Sequence, residues 1–579
     1  MNNIQELKNE FQLPITFVDN NKLYELPKNL QTDLELKETY DNSNNCIYDE
    51  IFNSSNVFSK QLTQSWSDYY TTDVKFLKDS QNLYKNISIT NRNNDNKNVD
   101  EIIEIWNELK EDEHFKERYC YVEWNILEKL NHSSLFLSGM TFATLFSPIL
   151  TLVVPIIMLI VPFFLLKLQS IKISFSDYFK TVKMLMSKIP IGRIFDFNAM
   201  SIEQKLSSLV SLFFYFFQLY QNFMHCYRYH RNLKHLHDCI KKISIYNDNT
   251  IKSMNEFLDL TCDLSTYHNF NLVVKNNKLI LERMNDELHK VTPYKLGFLK
   301  LTNIGHALKY FYAIHCNEEY HKALIYSFGF NGYIDNVTKI NEMIENKTIN
   351  KCTYSKKINE FKEAYFAPLK NSKPVKNSYS LKKNLIITGP NAAGKTTILK
   401  TTLFNIILSQ QIGYGFYKSA KINPYDYIHC YINIPDTSGR DSLFQAEARR
   451  CKDIIDCIEE NKHKRHFCVF DELYSGTNPY EAIASAYSYL HFMNSNKNVN
   501  YVLTTHYIDL CLKIERHDNT NTSNYHMEIE TKENDFIYKY KLKEGISEIK
   551  GGIKVLKELK YPKSLIKLTE SIIQNSLSI

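Results

Sequence analysis

Glycine is scarce in this chain, with 15 in 579 residues. Glycine-repeat architectures are excluded, and any stretch that concentrates glycine at fixed spacing stands out against that background. The 12 cysteines contain no C-x-x-C pair. Zinc ribbons and thioredoxin-type sites need that pair, so neither is expected, and the scattered thiols read as those of a reducing compartment. The first residues are polar and acidic, so a cleaved leader is not expected. Charge of either sign is absent from Asn131 to Leu166. Net charge is only +6, a mild basicity compatible with contact to nucleic acid or anionic lipid and diagnostic of neither. The length suffices for about three or four domains.

The uncharged run has the core LFSPILTLVVPIIMLIVPFFLL, and about 20 such residues can span hydrocarbon. Pro148, Pro155 and Pro162 recur in it every seven residues. A membrane helix tolerates such prolines better than a soluble one. Residues 135–166 therefore read as a membrane segment, either one long kinked span or a re-entrant hairpin turning near Ser147 to Thr151. The bland alternative is a buried core helix. Lys167, Lys172, Lys180, Lys183, Lys188 and Arg193 follow the run, which points its C-terminal side to the cytosol. A second uncharged stretch covers Leu206 to Tyr227. Its stripe of Ser208, Ser211, Tyr215, Gln218 and Asn222 favours a helix packed on protein or lying at an interface over a second span.

Residues 1–100 are Asn-rich and weakly periodic, and the run from Asn91 to Asn98 reads as a linker. Ile102, Ile103, Ile105, Trp106 and Leu109 then supply a helical stripe. His225, His230, His235 and His237 lie among Arg and Lys at spacings that converge poorly on a metal, so a solvated basic face is expected there. The division expected is 1–100, a polar region of undetermined fold; 101–200, helical, with the membrane segment 135–166; 201–365, a helical region; and 366–579, an α/β domain.

The glycines concentrate in GPNAAGKTT, from Gly389 to Thr397. The apolar run Leu385 to Ile387 precedes it and an apolar-periodic segment follows from Ile398. Strand, glycine loop and helix start are the context of a P-loop. The loop comprises Gly389, Pro390, Asn391, Ala392, Ala393 and Gly394, and its N–H groups can wrap a phosphate in front of a helix N-terminus. Lys395 would reach the β- and γ-phosphates, Thr396 would sit on Mg²⁺, and Thr397 completes the motif. Downstream, Phe467 to Phe470 form a buried strand ending in Asp471 and Glu472. Asp471 would hold Mg²⁺ and Glu472 would orient and deprotonate the attacking water. The strand YVLTTH ends at His506, placed to contact the γ-phosphate or position water. Between them, Asp436 to Asp441 form a polar loop and Ser442 starts a helix whose N-terminus can take a phosphate from another subunit; the plain alternative is an N-cap serine.

In order along the chain stand GPNAAGKTT, ILSQQIGYGFYKSA, SGRDSLFQAE, FDELYSGTN, TTHY, NYHMEIE and GGIKVLKELKYPKSLI. This region, roughly residues 366–568, resembles the ATPase domain of the MutS DNA mismatch-repair family, itself similar to ABC-type ATPases. Asn391 matches the family's Asn after the proline, Ser442 the signature serine that reaches the partner subunit's γ-phosphate, Glu447 the acidic residue of the same helix, and His506 the switch histidine. The helical stretch from about Lys205 to Tyr365 looks loosely like the family's core and lever helices. Three features depart from the family. Ser442, Leu443, Phe444 stand for serine-threonine-phenylalanine. Tyr474, Ser475, Gly476 stand for glycine-arginine-glycine. No N-terminal aromatic-x-Glu wedge of the kind that reads a mismatch is recognised.

The resemblance implies an α/β P-loop NTPase domain behind a mostly α-helical core- and lever-like region, ATP and Mg²⁺ as ligands, and a homodimer or heterodimer closing through the ATPase domain. It also implies DNA binding in mismatch repair or recombination. The alternative reading is a membrane-anchored ATPase acting on a protein or lipid partner without mismatch recognition. Residues 135–166 would then anchor the chain with the ATPase domain on the cytosolic side; otherwise the chain is soluble, cytoplasmic or nuclear.

Overall fold

The computed structural model describes residues 7, 9–39, 45–54, 56–87, 95–169, 174–186, 201–295, 301–356, 358–432, 442–517, 521–532, 535–547 and 559–575. The chain divides into two compact units, each built from non-consecutive stretches. One comprises Asn94–Lys252 and Asn277–Leu324; the other comprises Met1–Asn93, Ser253–Asn276 and Ile325–Ile579.

The first unit is helical. Its opening helix, Asp95–Glu111, buries Ile102, Ile105, Trp106 and Leu109, as the stripe requires. Asp95 to Asn98, read above as linker, form its first turn; Asn and Asp favour helix starts as much as loops. The remaining linker residues lie outside the described set. Helix α1, Ser134–Leu168, is continuous, so the turn expected near Ser147 to Thr151 is not formed. Its N-cap is Ser133, whose side chain accepts from the Phe136 N–H. The stretch Ser134–Val153 is long and apolar enough to cross a membrane, judged by length and composition. Helix α2, Ile202–Thr261, has 60 residues, about 90 Å at the helical rise.

Close packing fixes the base of α1. The helix Leu301–Cys316 crosses it at Gly305, where an added Cβ would lie 2.1 Å from Ser138 Oγ and 2.2 Å from the Ser134 carbonyl oxygen. Only hydrogen fits there. Nearby, fully buried Asn131 binds both backbone groups of Val122: its amide donates to the carbonyl at 2.9 Å and its oxygen accepts from the N–H at 2.8 Å.

The second unit holds a six-stranded sheet. Its strands are β1 (Asn384–Thr388), β2 (Tyr427–Tyr431), β3 (His466–Asp471), β4 (Val499–Thr505), β5 (Thr522–Lys532) and β6 (Asp535–Glu544), in the spatial order β6-β5-β1-β4-β3-β2. All neighbours are parallel except the β5–β6 hairpin. Helices α3 (Lys395–Gln411), α4 (Leu443–Glu460), α5 (Pro479–Ser495) and α6 (Ile508–His517) alternate with the strands. Parallel strands covered on both faces read as unbroken apolar runs, as Leu385 to Ile387 and Phe467 to Phe470 do. Cys451, Ile454, Ala486, Leu490, Met493, Leu510 and Ile514 bring α4, α5 and α6 onto one core with Phe470 and Leu503.

The Asn-rich N-terminal residues are folded within this unit. Gln81 donates to the carbonyls of Cys352 (2.9 Å) and Gly413 (2.6 Å), and Gln411 donates to those of Trp66 (2.6 Å) and Tyr69 (2.9 Å). Buried amides with these distant backbone partners tie residues 66–81 to the end of α3.

Replacing Gly305 with Ala should overpack the α1 crossing and cost about 1–3 kcal/mol. A denaturant midpoint unchanged from the parent would show that the two helices are not this close.

Candidate functional site

The glycine loop leaves the C-terminal end of β1, where open parallel sheets place their ligands. Gly394 is the N-cap of α3 with φ 92°, a conformation that a side chain would strain, and Ala392 stands at φ 60°. Pro390 and Ala393 are buried, while Asn391 and Ala392 are exposed. Lys395, the first residue of α3, is only 5% exposed. Its ammonium donates to the carbonyls of Gly389 (2.9 Å) and Pro390 (3.2 Å) and lies 4.0 Å from Glu472 Oε1. Burial pushes its pKa down, against the attraction of Glu472 and Asp471.

The end of β3 meets this lysine. Asp471 Oδ2 accepts from the Thr396 hydroxyl at 2.9 Å, and its Oδ1 accepts from Thr504 on β4. The pairing follows from register, because Asp471 stands opposite Thr504. Glu472 turns out of the strand at φ 55°, and its N–H still donates to the Thr504 carbonyl at 3.0 Å. His506 Nε2 lies 2.7 Å from Glu472 Oε1 and 3.2 Å from Lys395 Nζ. One ring nitrogen cannot donate to the carboxylate and accept from the ammonium together. The shorter contact favours donation to Glu472. That hydrogen bond holds the Glu472 carboxyl below its usual range, opposed by burial and helped by the charges of His506 and Lys395.

The structure thus gathers Lys395, Thr396, Asp471, Glu472 and His506 at the mouth of Gly389 to Gly394. Thr397 is half-buried on the first turn of α3, its carbonyl accepting from Thr401. Ser442 is exposed and caps α4: its Oγ accepts from the Gln445 N–H at 3.4 Å, while its own N–H donates to Gln445 Oε1 at 2.9 Å. Within one chain it forms a capping box. The loop Asp436 to Asp441 lies outside the described residues.

Thr504 was visible in sequence only as part of a strand, since its partner is set by the pairing of β3 with β4. Met527 and Tyr540, from β5 and β6, are the side chains nearest Gly394, where an added Cβ would sit 3.1 Å from Tyr540 Cδ1. Glu447, on α4, is almost fully buried and accepts from Ser475 N–H (3.1 Å), Ser475 Oγ (2.9 Å) and Gly476 N–H (3.1 Å). It fastens the loop after the Asp471–Glu472 pair to the helix that begins at Ser442.

The chemistry of this donor set suits a magnesium-bound polyphosphate. A buried cation is met by neutral carbonyls rather than by a close anion. A carboxylate and a hydroxyl sit together beside it, and backbone N–H groups lead into a helix N-terminus.

Removing the Glu447 carboxylate leaves three donors without their charged acceptor. Glu447→Ala should therefore destabilise the chain by at least about 2 kcal/mol, read as a shift in the urea midpoint. A variant of unchanged stability would mean that the fastening carries no weight.

The MutS domain V family profile matches residues 385–577. The DNA mismatch repair protein MutS of Persephonella marina is 30% identical over 220 residues, covering 37% of this chain and 25% of the relative. The protein of the same name from Parabacteroides distasonis is 33% identical over 194 residues, covering 33% of this chain and 22% of its own. That from Bacteroides thetaiotaomicron is 31% identical over 193 residues, with 33% and 22% covered. The match spans about a quarter of the length of these relatives. Residues 385–577 thus match MutS domain V, and the chain is similar to MutS proteins over about a third of its length.

Proposed function

We propose that the chain is an ATP-hydrolysing switch of the MutS type. The reading rests on one observation: Lys395, Thr396, Asp471, Glu472 and His506 converge on the glycine loop at the C-terminal edge of a parallel sheet. Gly389 to Gly394 would cradle the phosphates through backbone N–H groups. Lys395 would exchange its two carbonyls for the β- and γ-phosphate oxygens. Thr396 and Asp471 would hold Mg²⁺, which supplies charge neutralisation on the phosphates. Glu472, a carboxylate ionised at neutral pH and held further below its usual range by its hydrogen bond to His506, would take the proton of the attacking water. His506 would keep that carboxylate in place and face the γ-phosphate.

Ser442 caps an exposed helix start, which suits a role in trans. A second copy, or a related chain, would close over the nucleotide with its own Ser442 on the γ-phosphate. Closure would then depend on ATP and reopening on hydrolysis. The matched relatives carry the name DNA mismatch repair protein, which supports DNA as a ligand of this chain in repair or recombination. The second reading, a membrane-anchored ATPase with a protein or lipid partner, is favoured by the apolar helix Ser134–Val153. It would place the ATPase domain on the cytosolic side. The first reading needs no membrane and is cytoplasmic or nuclear.

Glu472→Gln should lower kcat by about 10²–10⁴-fold while nucleotide still binds, and Lys395→Ala should abolish turnover, both followed by phosphate release. Hydrolysis at the parent rate in either variant would refute the assignment. A gel-shift titration with paired and mispaired duplexes separates the two readings. DNA binding predicts a retarded band whose affinity falls steeply with salt; the membrane reading predicts no shift with either duplex.

A further inference from the structure

Helices α1 and α2 run antiparallel and are joined by hydrogen bonds at matched levels. Thr141 Oγ1 meets the Tyr229 hydroxyl at 3.0 Å, Cys226 Sγ donates to the Leu145 carbonyl at 3.2 Å, and Asn222 donates to Thr151 Oγ1 at 3.0 Å. Most of the polar stripe of α2 faces inward: Ser208 is buried, Ser211, Tyr215 and Asn222 are half-buried, Asn222 bonds to α1, and Gln218 is exposed. The opposite side of α2 presents Leu206, Leu209, Phe213, Phe216, Phe217 and Tyr220, all exposed. On α1, Ile149, Leu150, Val153, Ile160, Val161 and Leu165 are exposed as well. At 3.6 residues per turn these six span about 160° of its circumference, and the exposed Leu152 widens the arc to about 220°. A soluble helix pair buries its phenylalanines and wets its serines; this pair does the reverse.

We propose that α1 and the N-terminal part of α2 cross a lipid bilayer together as a helical hairpin, with the polar seam inside and the apolar faces against hydrocarbon. Small and hydrogen-bonding residues between helices, with apolar residues outside, are what packing within lipid favours. The helix stretches 149–168 and 206–227 that carry the exposed apolar residues are each about 30 Å long at the helical rise, matching the hydrocarbon thickness. The exposed Gln221 lies about two turns before Arg228, towards the head groups, while the exposed Gln218, about 15 Å from Arg228 at the helical rise, lies deeper in the stretch. The seam lowers the average apolarity of α2; among the described residues, length and composition single out Ser134–Val153 of α1. A second copy docking on one side would leave the other exposed apolar directions in water.

The fold itself requires the return crossing. Residues before α1 and after the apolar part of α2 pack in one unit: Asn232 donates to the Arg118 carbonyl (3.0 Å), His235 meets Glu108 (2.7 Å), and the Tyr121 hydroxyl donates to the Leu308 carbonyl (2.7 Å). A single span by α1 would put those partners on opposite faces. The helix Phe175–Met186 therefore lies across the membrane from Arg118, Asn232 and Leu308, which overturns the cytosolic placement that Lys180 and Lys183 suggest by charge alone. This deepens the membrane reading above and is independent of ATP chemistry.

Phe179→Asn tests it in the full chain. Phe179 is exposed on the helix Phe175–Met186, and the change makes an Asn-Lys-Thr glycosylation acceptor. The chain is translated into sealed endoplasmic-reticulum microsomes. The expected result is resistance to carbonate extraction with one glycan, at position 179, while native acceptors such as Asn346 and Asn521 stay unmodified. Carbonate resistance without a glycan at 179 overturns the paired crossing and spares anchoring by α1. Release by carbonate overturns both. The outward-facing double change Phe213→Asp with Phe217→Asp should abolish carbonate resistance; retention of the double variant would show that this face does not meet lipid.

Discussion

Lys395 carries a positive charge at a position almost closed to water, and its direct partners are two backbone carbonyls. Burying an ammonium without a close anion is costly. The nearest carboxylate oxygen, on Glu472, is 4.0 Å away and already hydrogen-bonded to His506. The surroundings are arranged around this cost. Gly394 takes a left-handed conformation so that α3 can start at the lysine, and strands β1, β3 and β4 stand side by side so that Asp471 and Glu472 end beside it. Thr396 and Thr504 hold Asp471 from two sides. A site under such constraint suits a ligand that brings several negative charges at once.

Much of this was legible along the chain. Leu385 to Ile387 and Phe467 to Phe470 are continuous apolar runs because parallel strands are covered on both faces, and each run leads into residues proposed to bind or cleave the nucleotide. What the chain hides depends on pairing at a distance. Thr504 meets Asp471 only through the register of β3 against β4. Gln81 and Gln411 bury amides on backbone far away in sequence, so the Asn-rich opening residues look loose although they fold with the C-terminal stretch in one unit. Glu447 was visible as an acidic residue on a helix, but its three donors lie beyond β3.

The helical arm shows the same limit in another form. The stripe from Ser208 to Asn222 is plain in the sequence and suggests a helix laid on protein or an interface. Composition cannot say which way a stripe faces. In the structure most of the stripe turns toward α1, so the helix packs on protein through its polar side and the phenylalanines stay exposed. The prolines of α1 did not force a turn, and the continuous helix is what gives the arm its length.

The most direct test of the account is a structure of the chain with magnesium and a non-hydrolysable ATP analogue. The account predicts the triphosphate in the loop Gly389 to Gly394, the Lys395 ammonium moved from the two carbonyls onto phosphate oxygens, and a metal ion between Thr396 and Asp471. A nucleotide bound elsewhere, or Lys395 still on its carbonyls with no phosphate in the loop, would contradict it.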